Sequence, residues 1–491
     1  MRGAYSTQQI VAAEQQLMAT LPGGALMQRA AAGLGAQAAG LLGQVYGANV
    51  VVLAGAGNNG GDALYAGAAL ARRGARVTVL GLAPTLHPDA SRALRAAGGG
   101  IADVLPRGLR ADLILDGMLG IGGRPGLGGT ARELAALTAA AREAGALVVA
   151  VDIPSGVDAD TGWAPDDETG PVMADVTVTF GALKPGLLVG PGRTAAGEVR
   201  LVDIGLGPVL PEPQVRVLEA ADVAALLPVP GPGDDKYTRG VVGVVAGSKL
   251  YGGAAVLATG AALRGGAGLV RYAGTAREAV RAAHPEVIVD TGDGRPTEAG
   301  RVQAWAAGPG MGTDDAAFAM LTDLLRSDVP LVVDADAITL IARAPAILRG
   351  RGPDTVLTPH DREFARIFGE VGADRIGAAR RAALDVGATV LLKGDATAVA
   401  GPDGRVYVNP TGTPWLATGG SGDVLTGLIG ALLAAGLRGP EAAAVGAYVH
   451  GLAGQIAAAN GPPTARDVLA ALRPAIASIT SGRLAGPARR V

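Results

Sequence analysis

The feature that most constrains this chain is a rhythm. Short apolar runs recur, each followed by an alanine-rich segment with helical spacing. In the first half the runs cover residues 50–53, 77–80, 113–116, 147–152, 176–180 and 199–204. Brief runs rich in Val and Ile read as strands buried on both faces, and the segments between them as crossover helices. This βαβ logic predicts a three-layer α/β domain. Residues 1–45, rich in Ala, Gln and Leu, read as one or two preceding helices. The rhythm breaks where Pro208, Pro211, Pro213, Pro228, Pro230 and Pro232 cluster, with only a short helix expected over 220–227. Such a stretch reads as an exposed linker. It places a boundary near residue 215 and gives domains 1–215 and 216–491. A second α/β series follows, with strands expected near 241–246, 269–272, 287–290, 304–307, 331–334, 356–358, 390–393, 397–400 and 406–408.

Composition supports two such cores and excludes several functions. The 491 residues are 49% hydrophobic and 18% charged, enough apolar surface for folded domains. The 42 basic and 44 acidic residues leave a net charge of −2, which argues against a dedicated nucleic-acid binder. There is no cysteine, so disulfides, thiolate nucleophiles, Cys-ligated zinc and iron–sulfur clusters are excluded. The four histidines, His87, His284, His360 and His450, form no His-Glu-x-x-His motif. The N-terminal residues show no secretory signal, and no apolar run is long enough to span a bilayer. A soluble cytoplasmic protein is expected, acting without membrane or nucleic acid.

In the first half, Gly55-Ala-Gly57-Asn58-Asn59-Gly60-Gly61-Asp62 joins a strand to a helix start. Glycines there let backbone approach a phosphate, and the helix N–H groups point at it. A dehydrogenase would also need an acidic residue ending the second strand, and that strand ends Val79-Leu-Gly-Leu82 instead. Asp116 ends another strand and precedes Gly120-Ile121-Gly122-Gly123-Arg124-Pro125-Gly126. Asp152 ends the next and precedes Ile153-Pro-Ser155. Carboxyl ends of parallel strands line the ligand crevice, so Asn59, Asp116, Asp152 and Ser155 should converge. Their hard oxygen donors suit an alkali or alkaline-earth cation rather than zinc.

These motifs resemble the NAD(P)H-hydrate epimerase family in order and spacing. That resemblance implies interconversion of the R and S epimers of hydrated nicotinamide cofactors, with bound potassium. It implies that Asn58, Asn59, Gly60, Gly61, Asp62 and the residues Gly120, Ile121, Gly122, Gly123, Arg124, Pro125 and Gly126 hold the hydrate. It further implies that Asn59, Asp116 and Ser155 ligate potassium, and that Asp152 contacts the reacting nicotinamide end as a catalytic group. Ala63 stands where the family usually has a further glycine.

In the second half, Lys393-Gly394-Asp395-Ala396-Thr397 follows a strand. Farther on, Thr418-Gly-Gly-Ser-Gly422-Asp423 runs into an apolar helix. Glycine-loop N–H groups at a helix start form an anion cradle. An Asp directly after it suits a base that takes a proton from a hydroxyl attacking a phosphoryl group. No Walker P-loop is present. On these residues alone, a small-alcohol kinase and a nucleotide sensor remain open beside a repair enzyme.

The Gly422-Asp423 loop resembles the ribokinase-like superfamily. Lys236-Tyr-Thr-Arg239, Gly308-Pro-Gly310-Met-Gly312, Asp334-Ala-Asp336, Thr358-Pro-His360-Asp-Arg-Glu363 and Asn409-Pro-Thr-Gly narrow the likeness to ADP-dependent NAD(P)H-hydrate dehydratases. Together the two resemblances imply a Rossmann-like domain fused to a ribokinase-like one, a bifunctional repair enzyme for NADHX and NADPHX. They imply that Ala255, Gly310, His360 and Asp423 contact the hydrate. Lys393, Gly394, Asp395, Ala396, Thr397 and Gly422 would hold ADP, with Mg²⁺ on its phosphates and Asp334 or Glu363 near it. Asp361 or Arg362 stands where the histidine motif usually has glycine. A homo-oligomer is expected, although the sequence itself does not set the oligomeric state.

Overall fold

The computed structural model describes residues 1–102, 104, 108–290 and 295–484, the last three by backbone alone. The chain divides into two compact units. One is Gly3–Gln214; the other is Val215–Val491 together with Met1–Arg2.

In the first unit the strands lie in the order Gly100–Ile101, Arg76–Gly81, Asn49–Ala54, Leu113–Gly117, Leu147–Val151, Val176–Phe180 and Glu198–Val202. All neighbouring pairs are parallel. Side chains alternate between faces, as the strand pleat requires. Val50 and Val52 pack with Leu34 and Leu64 of the helices Ala25–Leu42 and Asn58–Arg72. Val51 and Leu53 face the other way, onto Leu134 and Ala141 of Gly129–Glu143. Both faces are covered, which gives the three expected layers. The register places Asp116 beside Leu53 and Ala150, near the carboxyl ends of three central strands.

The second unit orders its strands Val215–Val217, Val406–Val408, Ala398–Ala400, Thr389–Leu392, Thr355–Leu357, Leu331–Val333, Ala304–Ala307, Val241–Val245, Leu269–Tyr272 and Ile288–Val289. Pairing is parallel except around Ala398–Ala400, which runs antiparallel to both neighbours. The helices Gly252–Arg264, Ser421–Ala434, Gly439–Ala458 and Ala465–Leu484 supply residues to one face, among them Ala258, Leu428, Val445 and Leu472. Leu321 and Ile338, from Asp315–Arg326 and Asp336–Arg343, pack on the other. From Val424 to Ala434 every residue of Ser421–Ala434 is buried, so this helix is anchored along its length and only its first turn is open.

The proline-rich stretch departs from the expected exposed linker. Val215 and Val217 are buried, and Val215 pairs with Val406 in the sheet. The helix Ala220–Leu226 buries Val223. A three-residue strand is too short to show periodicity, so the prolines dominate the sequence signal while the valines decide the structure. Residues 228–239 are exposed. Among the described residues, no helix is long and apolar enough to cross a membrane.

Candidate active sites

The first site lies at the strand ends of the Gly3–Gln214 unit. Asn49–Ala54 ends at Gly55, and the helix Asn58–Arg72 starts three residues later. A Cβ on Gly60 would stand 2.0 Å from the Gly55 carbonyl oxygen, so only glycine permits this turn. The N-cap, Gly57, makes no side-chain cap bond, and the first-turn N–H groups remain available to an anion.

Asn59, Asp116 and Ser155 come together around the peptide of Leu119. Asn59 Nδ2 donates to the Leu119 carbonyl at 2.8 Å, and the Leu119 N–H donates to Ser155 Oγ at 3.0 Å. Ser155 donates to Asp116 twice, from its hydroxyl at 2.6 Å and its N–H at 2.9 Å. Asp116 is fully buried, and burial pushes its carboxyl up to about 6 against the opposing hydrogen bonds of Ser155 and Met118. Among the described residues no Lys or Arg pairs with it. A buried carboxylate beside the Ser155 hydroxyl, with no protein counter-ion among the described residues, offers the hard oxygen donors a monovalent cation takes. The loop from Gly120 to Gly126 is closed by Gly123 N–H to Gly120 O at 2.8 Å and Gly126 N–H to Gly156 O at 2.9 Å. It leaves Gly122 and Arg124 exposed and Gly123, Pro125 and Gly126 half-buried. Ile121 packs against the core.

Asp152 adopts φ 66°, a left-handed conformation that Asp tolerates better than most residues. Its Oδ1 accepts from Thr179 Oγ1 at 3.1 Å, from the Phe180 N–H at 3.1 Å, and from the Lys184 ammonium. Asp62 is buried with Oδ1 lacking a protein partner. Burial drives its pKa well above the carboxylate range, and the nearby charges of Asp152 and Glu14 add to this. Burial likewise raises Glu14, on the helix Thr7–Met18, with Asp152 raising it further and Lys184 opposing. Sequence reasoning missed Glu14, Thr179 and Lys184. The available signal was Lys184 itself, a lone charge within the apolar segment 182–189 after a strand.

The second site lies where Ser421–Ala434 meets the strand ends of the other unit. Gly420 caps this helix at φ 89° with no side-chain cap bond. Asp423 therefore sits in the first turn without serving as the cap. Burial pushes its carboxyl up to about 7, reinforced by Asp334 and Asp336 and opposed by Lys393. Lys393 pairs with Asp334 at 2.7 Å and lies 3.7 Å from Glu363. Burial lowers its pKa, but Asp334, Glu363 and Asp423 outweigh that and raise it. Thr426 donates to the other oxygen of Asp334 at 2.7 Å. Gly422 completes the convergence, since a Cβ there would stand 3.5 Å from Asp334 Oδ2 and 3.6 Å from Lys393 Nζ. The imidazole of His450 lies 2.9 Å from the Ser421 carbonyl. Burial pulls it down to about 4, so it is neutral support for the loop.

The remaining assigned residues differ in what they offer. His360 caps the helix Asp361–Phe368, its Nδ1 accepting from the N–H groups of Arg362 and Glu363 at 3.1 and 3.3 Å. The imidazole remains half exposed, with Nε2 3.6 Å from Glu363. Gly310, at φ 60°, packs against Tyr251 and Ala254. Ala255 is fully buried beneath Gly247, and Ala396 is fully buried as well. Ala255 stands near the start of the helix Gly252–Arg264. Thr397 is largely buried, its hydroxyl 3.5 Å from the Gly394 carbonyl, whereas Gly394 and Asp395 are more exposed. Arg375 holds the Lys393 carbonyl and pairs with Asp361 at 2.8 Å. For Mg²⁺, Asp334 has both oxygens engaged and Glu363 accepts from the His360 N–H at 2.9 Å. Among the described residues no group of three or more His, Asp or Glu side chains is placed to hold a metal ion by themselves.

Two α/β units, each with a glycine-lined helix start and buried carboxylates at its strand ends, define an enzyme that handles nucleotide-like ligands at two separate centres. Comparison with known proteins makes this specific. Residues 242–472 match the family described as NAD(P)H-hydrate dehydratase, and residues 23–186 match the YjeF-related protein N-terminus. The chain is 48% identical to the bifunctional NAD(P)H-hydrate repair enzyme Nnr of Mycobacterium leprae, over 98% of this chain and 100% of that one. It is 51% identical to the Mycobacterium tuberculosis enzyme of the same name, over 90% of this chain and 92% of that one. A solved ribokinase-like superfamily protein from Enterococcus faecalis matches with TM-score 0.50 and 25% identity, covering 55% of this chain and 98% of that one. The chain belongs to the bifunctional NAD(P)H-hydrate repair enzyme family.

Proposed function

We propose that the chain repairs hydrated nicotinamide cofactors at two centres. Residues 1–215 interconvert R- and S-NAD(P)HX, and residues 216–491 dehydrate the S epimer with ADP, releasing NAD(P)H, AMP and phosphate. The observation that carries this reading is the separation of the two family matches onto the two units, each coinciding with a carboxylate-lined strand end.

In the dehydratase, Asp423 accepts the proton of the C6 hydroxyl as that oxygen attacks the terminal phosphorus of ADP and AMP leaves. Lys393 places positive charge beside the loop where the phosphoryl group arrives. The N1 lone pair then expels phosphate by breaking the C6–O bond, and loss of a C5 proton forms the C5=C6 bond of NAD(P)H. Gly422 and the stretch Lys393, Gly394, Asp395, Ala396 and Thr397 hold the nucleotide, with Ala255, Gly310 and His360 toward the hydrate. Mg²⁺ would be held on the ADP phosphates with Asp334 or Glu363 near it, and would neutralise charge on the transferring group. In the epimerase, Asn59, Asp116 and Ser155 hold K⁺, whose charge offsets that of buried Asp116. The turn Asn58–Asp62 and the loop 120–126 bind the hydrate, and Asp152 moves the proton that inversion at C6 requires. The protein acts in the cytoplasm as a homo-oligomer.

The test follows absorbance at 340 nm with an R/S mixture of NADHX. Complete conversion to NADH with ADP, and only epimer exchange without it, is the expected result. A stable phosphorylated product in place of NADH would favour a simple kinase.

A further inference from the structure

We propose that Lys184 is a positioning residue of the epimerase centre. It clamps one oxygen of Asp152 so that the other is presented to the hydrate. The inference rests on the assignment of Asp152 above.

Lys184 is 1% exposed, a burial that charged side chains accept only when paired. Its ammonium has three hydrogens and makes three bonds: to Asp152 Oδ1, to Thr179 Oγ1 at 2.9 Å, and to the Phe180 carbonyl at 3.1 Å. No N–H is left for a ligand, so Lys184 acts through Asp152 and does not touch substrate. Asp152 Oδ1 is in turn saturated by Lys184, Thr179 and the Phe180 N–H. Its Oδ2 has no protein partner among the described residues. The clamp also explains how Asp152 is held at φ 66°, since backbone strain persists where surrounding contacts fix it. Asp152 sits close enough to Glu14 and Asp62 to act on both electrostatically. Lys184 is the only cation paired with this carboxylate group among the described residues.

The experiment uses the full chain with R-NADHX and no ADP, separating the epimers by chromatography. Lys184→Met, Lys184→Arg, Thr179→Val and Asp152→Asn are compared. ADP-dependent dehydration of S-NADHX and the melting temperature of each variant report folding. Lys184→Met is expected to lower the epimerisation kcat roughly 10²-fold, the scale of a misplaced reacting group, with KM little changed and dehydration intact. Lys184→Arg should recover part of the loss. Thr179→Val keeps the side-chain shape but cuts a bond to each partner, and it should lower kcat in the same direction; it decides the matter if Lys184→Met does not fold. Wild-type kcat in Lys184→Met or Thr179→Val beside an inactive Asp152→Asn would overturn the clamp and leave the Asp152 assignment standing. A rise in KM alone, or a loss shared with melting temperature and not recovered by Arg, would also overturn it. An active Asp152→Asn would overturn the underlying assignment instead.

Discussion

Lys393 and Asp334 form an ion pair 2.7 Å across, directly against the glycine loop that leads into Asp423. The pair fixes a positive charge at the open end of a buried helix. Asp334 supports that charge from the strand side, and Asp423 faces it from the helix side.

Replacing Asp423 by Asn removes the base while keeping the side-chain volume. ADP-dependent NADH formation should fall by roughly 10²–10⁴, the usual worth of a general base, with epimerisation unchanged. In the unaltered chain, kcat/KM for dehydration should rise with pH through about 7, as Asp423 loses its proton. A flat profile across that range, or near-normal turnover in Asp423→Asn, would defeat the assignment.

The same shift has a consequence for stability. Asp423 keeps its proton to about pH 7 when folded, whereas its ordinary value is 3.8. Between those values the unfolded chain binds fewer protons, so the contribution is present at low pH and lost as pH rises through about 7. Asp423→Asn cannot ionise and escapes the loss. Above pH 7 the variant should melt higher than the parent, and near pH 4 the two should converge; thermal scans at both values check this.

Potassium should raise the melting temperature of the chain, because binding to the folded state alone stabilises it. Asp116→Asn should abolish the increase and the potassium dependence of epimerisation. Sodium at equal ionic strength controls for screening. An equal response to both salts in parent and variant would remove the cation from this site.

Cutting the chain before Val215 should give two working halves. The strand Val215–Val217 and the helix Ala220–Leu226 build into the C-terminal unit, so they must stay with it. Residues 1–214 should epimerise NADHX alone, and residues 215–491 should dehydrate the S epimer. A folded but inert N-terminal fragment would count against the division of labour.

The sequence by itself determined the two α/β series, the glycine turns and the carboxylates at strand ends. Each of these is local: short continuous apolar runs make strands buried on both faces, and glycine before a helix start makes an anion turn. It also marked Asp116, Asp152 and Asp423, because a carboxylate closing an apolar strand or an anion loop is conspicuous on its own. Only the tertiary structure decided which side chains meet them. Lys184 lies 32 residues from Asp152, and Lys393 lies 59 from Asp334. Such pairs form where strand order and helix packing bring distant segments together, and no spacing rule encodes that. Packing likewise buried Ala255 and Ala396, set His360 to capping a helix, and drew Val215–Val217 from a proline-rich stretch into a sheet. The chemistry of each residue is written in the sequence, whereas its partner, burial and charge state come from the low-dielectric surroundings that folding assembles.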